Sequence, residues 1–128
     1  MKKLPESERQ AQRAVVQYVR LKYPGVLIWH NANGGSRHKL EAANLKKDGV
    51  LAGVPDLFVA KRGAIRSSKY TDAIFGFHSG LFIEMKSARG KLSGSQIDVM
   101  HKLSEEGYKC EVCYSADEAI KVIDEYLL

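Results

Sequence analysis

The stretch LFIEMKSARGKLSGSQ, residues 81–96, starts as an apolar strand, admits Glu84 and Lys86 two positions apart, and then breaks into glycines and serines. Side chains alternate along a strand, so Phe82, Glu84 and Lys86 share one face while Leu81, Ile83 and Met85 share the other. Burying a charge is costly unless it is paired or bound to a metal. Two readings are therefore open for these residues: a structural ion pair, or a reactive pair facing a site.

Further upstream, Gly53-Val54-Pro55 forms a tight turn in which Pro55 holds Val54 extended, and a strand runs from Asp56 to Ala60. Asp56 fits a turn cap. With Glu84 on a neighbouring strand it also makes a second carboxylate, and two hard oxygen donors with open water positions suit Mg²⁺ or Mn²⁺. Lys86, one pleat beyond Glu84, can reach the same place.

The remaining elements follow from capping and periodicity. Ser7 and Gln10 form a capping box, after which Ala11, Val15, Tyr18 and Val19 mark one face of a helix to Lys22. A short strand spans Val26 to His30, a glycine-containing loop covers residues 31–36, and a basic helix runs from Arg37 to Lys47, closed by Asp48-Gly49. Residues 61–72, with Lys61, Arg62, Arg66 and Lys69, lack periodicity and read as an exposed loop, and alternation resumes over Ala73 to Phe77. Ser93 or Ser95 caps a helix to Glu106, Lys109 to Tyr114 is a strand, and Ser115 with Glu118 is a capping box for the last helix. The order predicts one α/β domain over residues 1–128, with a central mixed sheet of four to five strands flanked by helices.

Composition narrows the function classes. The chain has 128 residues, 45% hydrophobic and 27% charged, enough for a core without disulfides or a structural metal. No apolar run approaches a membrane span, and the opening MKKLPESER lacks a signal-peptide core, so a cytoplasmic protein with reduced thiols is expected. Cys110 and Cys113 fall three apart in a strand, on opposite faces, which argues against a joint zinc or disulfide role and for packing. The net charge of +5 is uneven: +4 over residues 1–36, +6 over 37–91 and −5 over 92–128. A polyanion met by one side of the molecule fits that distribution.

Pro55-Asp56 followed by Glu84-Met85-Lys86 resembles the PD-(D/E)XK nuclease signature. The wider run is more specific: Asn33-x-Gly35-x-Arg37, Gly49-x-x-x-Gly53-Val54-Pro55-Asp56-Leu57, Gly80 through Lys86, Gln96 and Gly107-Tyr108. Over nearly the whole chain it resembles the virus-type replication-repair nuclease (VRR-NUC) family, with no departure at the carboxylates or the lysine.

The resemblance implies a restriction-endonuclease-like core and hydrolysis of DNA phosphodiesters. Asp56, Glu84 and the Met85 carbonyl would bind Mg²⁺ or Mn²⁺, and Lys86 would orient or help deprotonate the attacking water, leaving a 5′-phosphate and a 3′-hydroxyl. It further implies a homodimer acting on branched DNA such as Holliday junctions, with flaps as an alternative, in a bacterial or phage-infected host cell. A non-catalytic DNA-binding module on the same fold is the competing reading, and a thiol redox protein a third. The apolar loop at 50–54 and the hairpin at 73–78 are candidate dimer surfaces.

Other residues carry two readings each. Glu8, on the inward side of its helix, is either an acid favoured by the helix dipole or, as the resemblance implies, a glutamate near the metal, assisted by Gln12. Gln96 either satisfies a buried carbonyl or, by resemblance, bonds the lysine or the metal's water. The loop and helix start at Asn33, Gly35, Ser36, Arg37, His38 and Lys39 suit a phosphate, and Lys61, Arg62, Arg89 and Lys91 are further DNA-contact candidates. His30 and His78 are read as packing or loop histidines.

Overall fold

The protein is described here by a computed structural model covering residues 7–32, 39–68 and 71–128. Helix α1 (Glu8–Lys22) opens on the expected capping box: Ser7 Oγ accepts from the Gln10 amide at 3.1 Å, and Gln10 Oε1 accepts from the Ser7 amide at 3.0 Å. Its buried stripe is Ala11, Val15 and Val19. Strand β1 (Ile28–His30) follows, then α2 (Lys39–Lys47), closed by Gly49 at φ +105°, and β2 (Leu57–Val59).

Strand β5 (Leu81–Met85) lies at the centre of a four-stranded sheet of order β1-β2-β5-β6, where β6 is Lys109–Cys113. The pairs β1–β2 and β2–β5 are antiparallel and β5–β6 is parallel, which makes the sheet mixed as expected. The strand β5 separates its two faces as alternation predicts. Leu81, Ile83 and Met85 join Leu57, Val59 and Cys113 in a core closed by Val15 and Val19 of α1 and Ala119 and Ile123 of α4 (Ala116–Tyr126). Each fully buried Leu or Ile there contributes about 1.5–3 kcal/mol. On the opposite face Phe82 stacks on Phe58 with centroids 4.4 Å apart, and Tyr108 meets both edge-on. Gly80 allows this, since a Cβ there would fall 2.6 Å from the Phe58 ring.

Helix α3 (Gly94–Glu105) covers the second face and is capped by Ser93 in a full capping box. At α4 the cap differs in detail: Ser115 Oγ accepts from the Glu118 amide, but the Glu118 carboxylate accepts from the amide of Tyr114, one residue before the cap. Cys113 is buried and Cys110 half-buried, both free, and burial pushes the Cys113 thiol up to about 12.

Residues 61–72 correct the sequence reading. In place of a loop, β3 (Gly63–Ser68) and β4 (Thr71–His78) form an antiparallel ribbon that stands apart from the main sheet, so the sheet has four strands and not five. Both faces of the ribbon meet solvent, with Ile65, Ile74, Phe75 and Phe77 exposed, so the alternation over 73–77 does not divide a buried face from an exposed one. Its base is fixed from a distance. The Tyr126 hydroxyl donates to the Lys61 carbonyl at 2.5 Å, and Gly63 lies against the Tyr126 ring where any Cβ would clash. Among the described residues, no helix is long and apolar enough to cross a membrane.

Candidate active site

The antiparallel register of β2 and β5 pairs Leu57 with Ile83 and Phe58 with Phe82. Extended by one residue, it sets Asp56 opposite Glu84 on the face shared by Phe58 and Phe82, where facing Cβ atoms lie about 5 Å apart. Cross-strand bonding fixes the first acid, since Asp56 Oδ2 accepts from the Met85 amide at 2.8 Å. Its main chain is held from the other side: the Asp56 carbonyl accepts from the Asn31 amide at 2.7 Å and from His30 Nδ1 at 2.9 Å. The turn that delivers Asp56 requires Gly53, whose φ is +92° and whose Cβ would lie 2.5 Å from the Ser95 carbonyl at the start of α3.

Glu84 is 3% exposed, and it is the buried charged side chain among the described residues. Its two oxygens differ. Oε1 accepts from Gln96 Nε2 at 3.1 Å and lies 3.6 Å from Lys86 Nζ. Oε2 is buried and no hydrogen bond reaches it. Burial, with the negative charge of Asp56 adding and the Lys86 amine opposing, pushes the Glu84 carboxyl up to about 7. The ion pair with Lys86 therefore exists, but Lys86 and Gln96 both meet Oε1, and Oε2 has no partner as a carboxylate oxygen; a protonated Glu84 carboxyl would share its proton with Asp56.

Glu8, Asp56, Glu84, Lys86 and Gln96 line one pocket of about 340 Å³, together with Arg9, Gln12 and His30. Glu8 is exposed and stands at the rim, where its Oε1 accepts from the Ser87 amide at 3.1 Å, tying the start of α1 to the end of β5. Gln96 has two partners among the described residues. Its Oε1 completes the α3 capping box by accepting from the Ser93 amide at 2.8 Å, and its Nε2 holds Glu84 instead of a carbonyl or the lysine. His30, read as a packing or loop residue, is exposed and lines the pocket. Its strand position on the α1 side, two after buried Ile28, is the signal that could have placed it there.

The basic candidates do not gather there. Arg89 and Lys91 are exposed in the segment between β5 and α3, outside the pocket lining. Lys61 and Arg62 sit at the base of the ribbon, the Arg62 guanidinium 4.4 Å from the Phe77 ring centroid. Asn33, Gly35, Ser36, Arg37 and His38 lie outside the described residues, as does Lys69; of Lys39 only the backbone, in α2, is described.

A divalent cation fits the donors present. Asp56 and Glu84 offer hard carboxylate oxygens, and a buried oxygen with no hydrogen-bond partner is what an ion would satisfy. Among the described residues no three His, Cys, Asp or Glu side chains gather closely enough to hold a metal, so an ion held by Asp56 and Glu84 would take its other positions from main chain and water.

A mixed sheet that brings two acids and a lysine to one pocket is the core of a nuclease-type α/β fold. The chain belongs to the VRR-NUC family: the VRR-NUC domain matches residues 6–117. A solved VRR_NUC domain protein is 26% identical and superposes with a TM-score of 0.67, covering 99% of this chain and 91% of that one. No curated protein matches. Family membership gives the chain a nuclease-type function with DNA as the implied substrate, in a family whose members are generally dependent on a divalent metal.

Proposed function

We propose that this single domain is a Mg²⁺- or Mn²⁺-dependent DNA endonuclease that hydrolyses phosphodiester bonds, and that it acts as a homodimer on branched DNA such as Holliday junctions. The observation that carries the catalytic reading is the bare, buried Oε2 of Glu84 in the pocket it shares with Asp56 and Lys86. Asp56 and Glu84 would hold the ion, with the Met85 carbonyl implied by the family resemblance and Glu8 at the rim. A bound divalent ion supplies a Lewis acid that neutralises phosphate charge and makes water acidic enough to attack near neutral pH.

The chain's own groups do the rest. The Met85 amide fixes the Asp56 carboxylate, and Gln96 and Lys86 hold Glu84 by one oxygen so that the other stays open. Lys86 adds positive charge beside the phosphate as its negative charge grows, and orients the attacking water. Attack in line would release a 3′-hydroxyl and leave a 5′-phosphate. Branch selectivity and dimerisation rest on the family resemblance and on the apolar ribbon, where Ile74, Phe75 and Phe77 offer a surface for a second copy.

Cleavage of labelled four-way junction, flap, single strand and linear duplex tests this reading, run in Mg²⁺, Mn²⁺ and EDTA. Junction cleavage in either metal and none in EDTA is expected. Equal cleavage of every substrate would remove the branch preference, and cleavage in EDTA would remove the metal.

A further inference from the structure

Beside the cleavage pocket, a second concavity of about 530 Å³ runs along α1, lined by Gln12, Arg13, Val16, Gln17, Arg20 and Leu21 and by His30. Gln12 and His30 also line the cleavage pocket, so the two hollows adjoin. We propose that this groove is a binding bed for the phosphodiester backbone of the DNA strand entering the cleavage pocket, with Arg13 and Arg20 as its phosphate contacts. The proposal rests on the nuclease reading above and extends it to a surface outside the metal site.

Charge is the first argument. Among the described residues Lys22, Lys86, Lys102 and Lys109 have carboxylates within ion-pair distance, whereas Arg9, Arg62, Arg89, Lys91 and Lys121, spread over the surface, do not. Arg13 and Arg20 have none; Arg20 makes one bond, Nη2 to the Ile28 carbonyl at 3.4 Å. Among the described residues no acid lines the groove. An ordinary solvated helix face mixes its signs, as α4 does with Asp117, Glu118, Lys121 and Glu125 exposed. The α1 stripe does not.

Geometry is the second argument. Positions 9, 13 and 20 fall within about 40° of one another around a 3.6-residue helix, so Arg9 at the cleavage pocket continues into Arg13 and Arg20 as one line. At 1.5 Å rise per residue that line is about 16 Å long, enough to follow a strand past several phosphates. Guanidinium forks suit phosphate oxygens, and the amides of Gln12 and Gln17 can donate to the same backbone without reading its sequence.

The test measures DNA binding in an Asp56→Asn background, where Asn can still accept from the Met85 amide, and steady-state cleavage in the Asp56 protein. An Arg13→Ala/Arg20→Ala variant is expected to bind duplex about tenfold more weakly, with a salt slope shallower by about 1.8. In cleavage its KM should rise with kcat retained, and Arg13→Lys/Arg20→Lys should restore part of the affinity. Lys121→Ala, one charge lost on α4, should change neither. Unchanged affinity, KM and salt slope in the double alanine variant of a protein that does cut DNA would overturn the groove alone. A wild-type protein that neither binds nor cuts DNA would remove the nuclease reading, and the groove with it.

Discussion

Two clusters of charge, one at each end of α1, are built on opposite plans. At the C-terminal end Asp124 accepts both oxygens' worth of bonds: Tyr18 at 2.8 and 3.0 Å, Tyr23 at 2.5 Å and Lys22 at 3.2 Å. Burial alone would raise its carboxyl, but those hydrogen bonds outweigh it and hold the group below the usual carboxylate range. At the N-terminal end Glu84 is far more buried, has one oxygen partnered and the other bare, and is held well above that range. The first cluster joins α1 to α4 and stabilises the fold. The second is a place where the fold accepts a cost that a cation would offset, which is the mark of a binding site and not of a brace.

The largest break in that comparison comes from chemistry. Asp56→Asn and Lys86→Ala should each lower DNA cleavage by about a thousandfold while DNA binding persists, measured by gel cleavage and by anisotropy. Asp124→Ala should leave cleavage untouched.

Stability should sort the same residues the other way. A carboxyl raised in the folded state takes up its proton more tightly there, so the metal-free protein loses stability as pH rises from about 4.5 to about 7. The loss is complete above that window and amounts to about 3 kcal/mol at most. Glu84→Gln should flatten this part of the pH profile in denaturant titrations while abolishing cleavage. Asp124 has the opposite sign: its contribution is present above the ordinary carboxylate value and is lost as pH falls below it. Asp124→Ala should cost about 1–2 kcal/mol near neutral pH, because two hydroxyls lose their acceptor.

A smaller effect is expected at Gln96. Gln96→Ala frees Glu84 Oε1 and removes half of a capping box, and should weaken divalent metal binding about 10- to 100-fold in calorimetric titration. Metal affinity equal to wild type would mean that Gln96 is only a helix cap.

The features legible in the sequence were those set by neighbours along the chain. Ser7 with Gln10 and Ser93 with Gln96 announced their helices, and the alternation from Leu81 to Lys86 placed Glu84 opposite the core. Pro55-Asp56 and Glu84-Met85-Lys86 marked two acids at strand positions, and the β2–β5 pairing then set them opposite one another. What escaped depended on distant partners. Alternation marked Ala73 to Phe77, but its partner strand Gly63–Ser68 went unread, because its base is pinned by Tyr126, 65 residues from Lys61, and its exposed Ile65 and Arg66 give no periodic signal. That the Gln96 amide reaches Glu84 follows only from how α3 docks. The arginines of α1 carried no signal of their own along the chain; His30 and the cleavage pocket beside them come from the fold.

Thermal unfolding at pH 8, with and without Mn²⁺, tests the central claim most directly when wild type and Glu84→Gln are compared. Wild type should melt at a distinctly higher temperature with the ion than without it, while Glu84→Gln should start higher than metal-free wild type and gain little from the ion. An equal gain in both proteins would show that Mn²⁺ binds elsewhere and that the bare oxygen of Glu84 is not its seat.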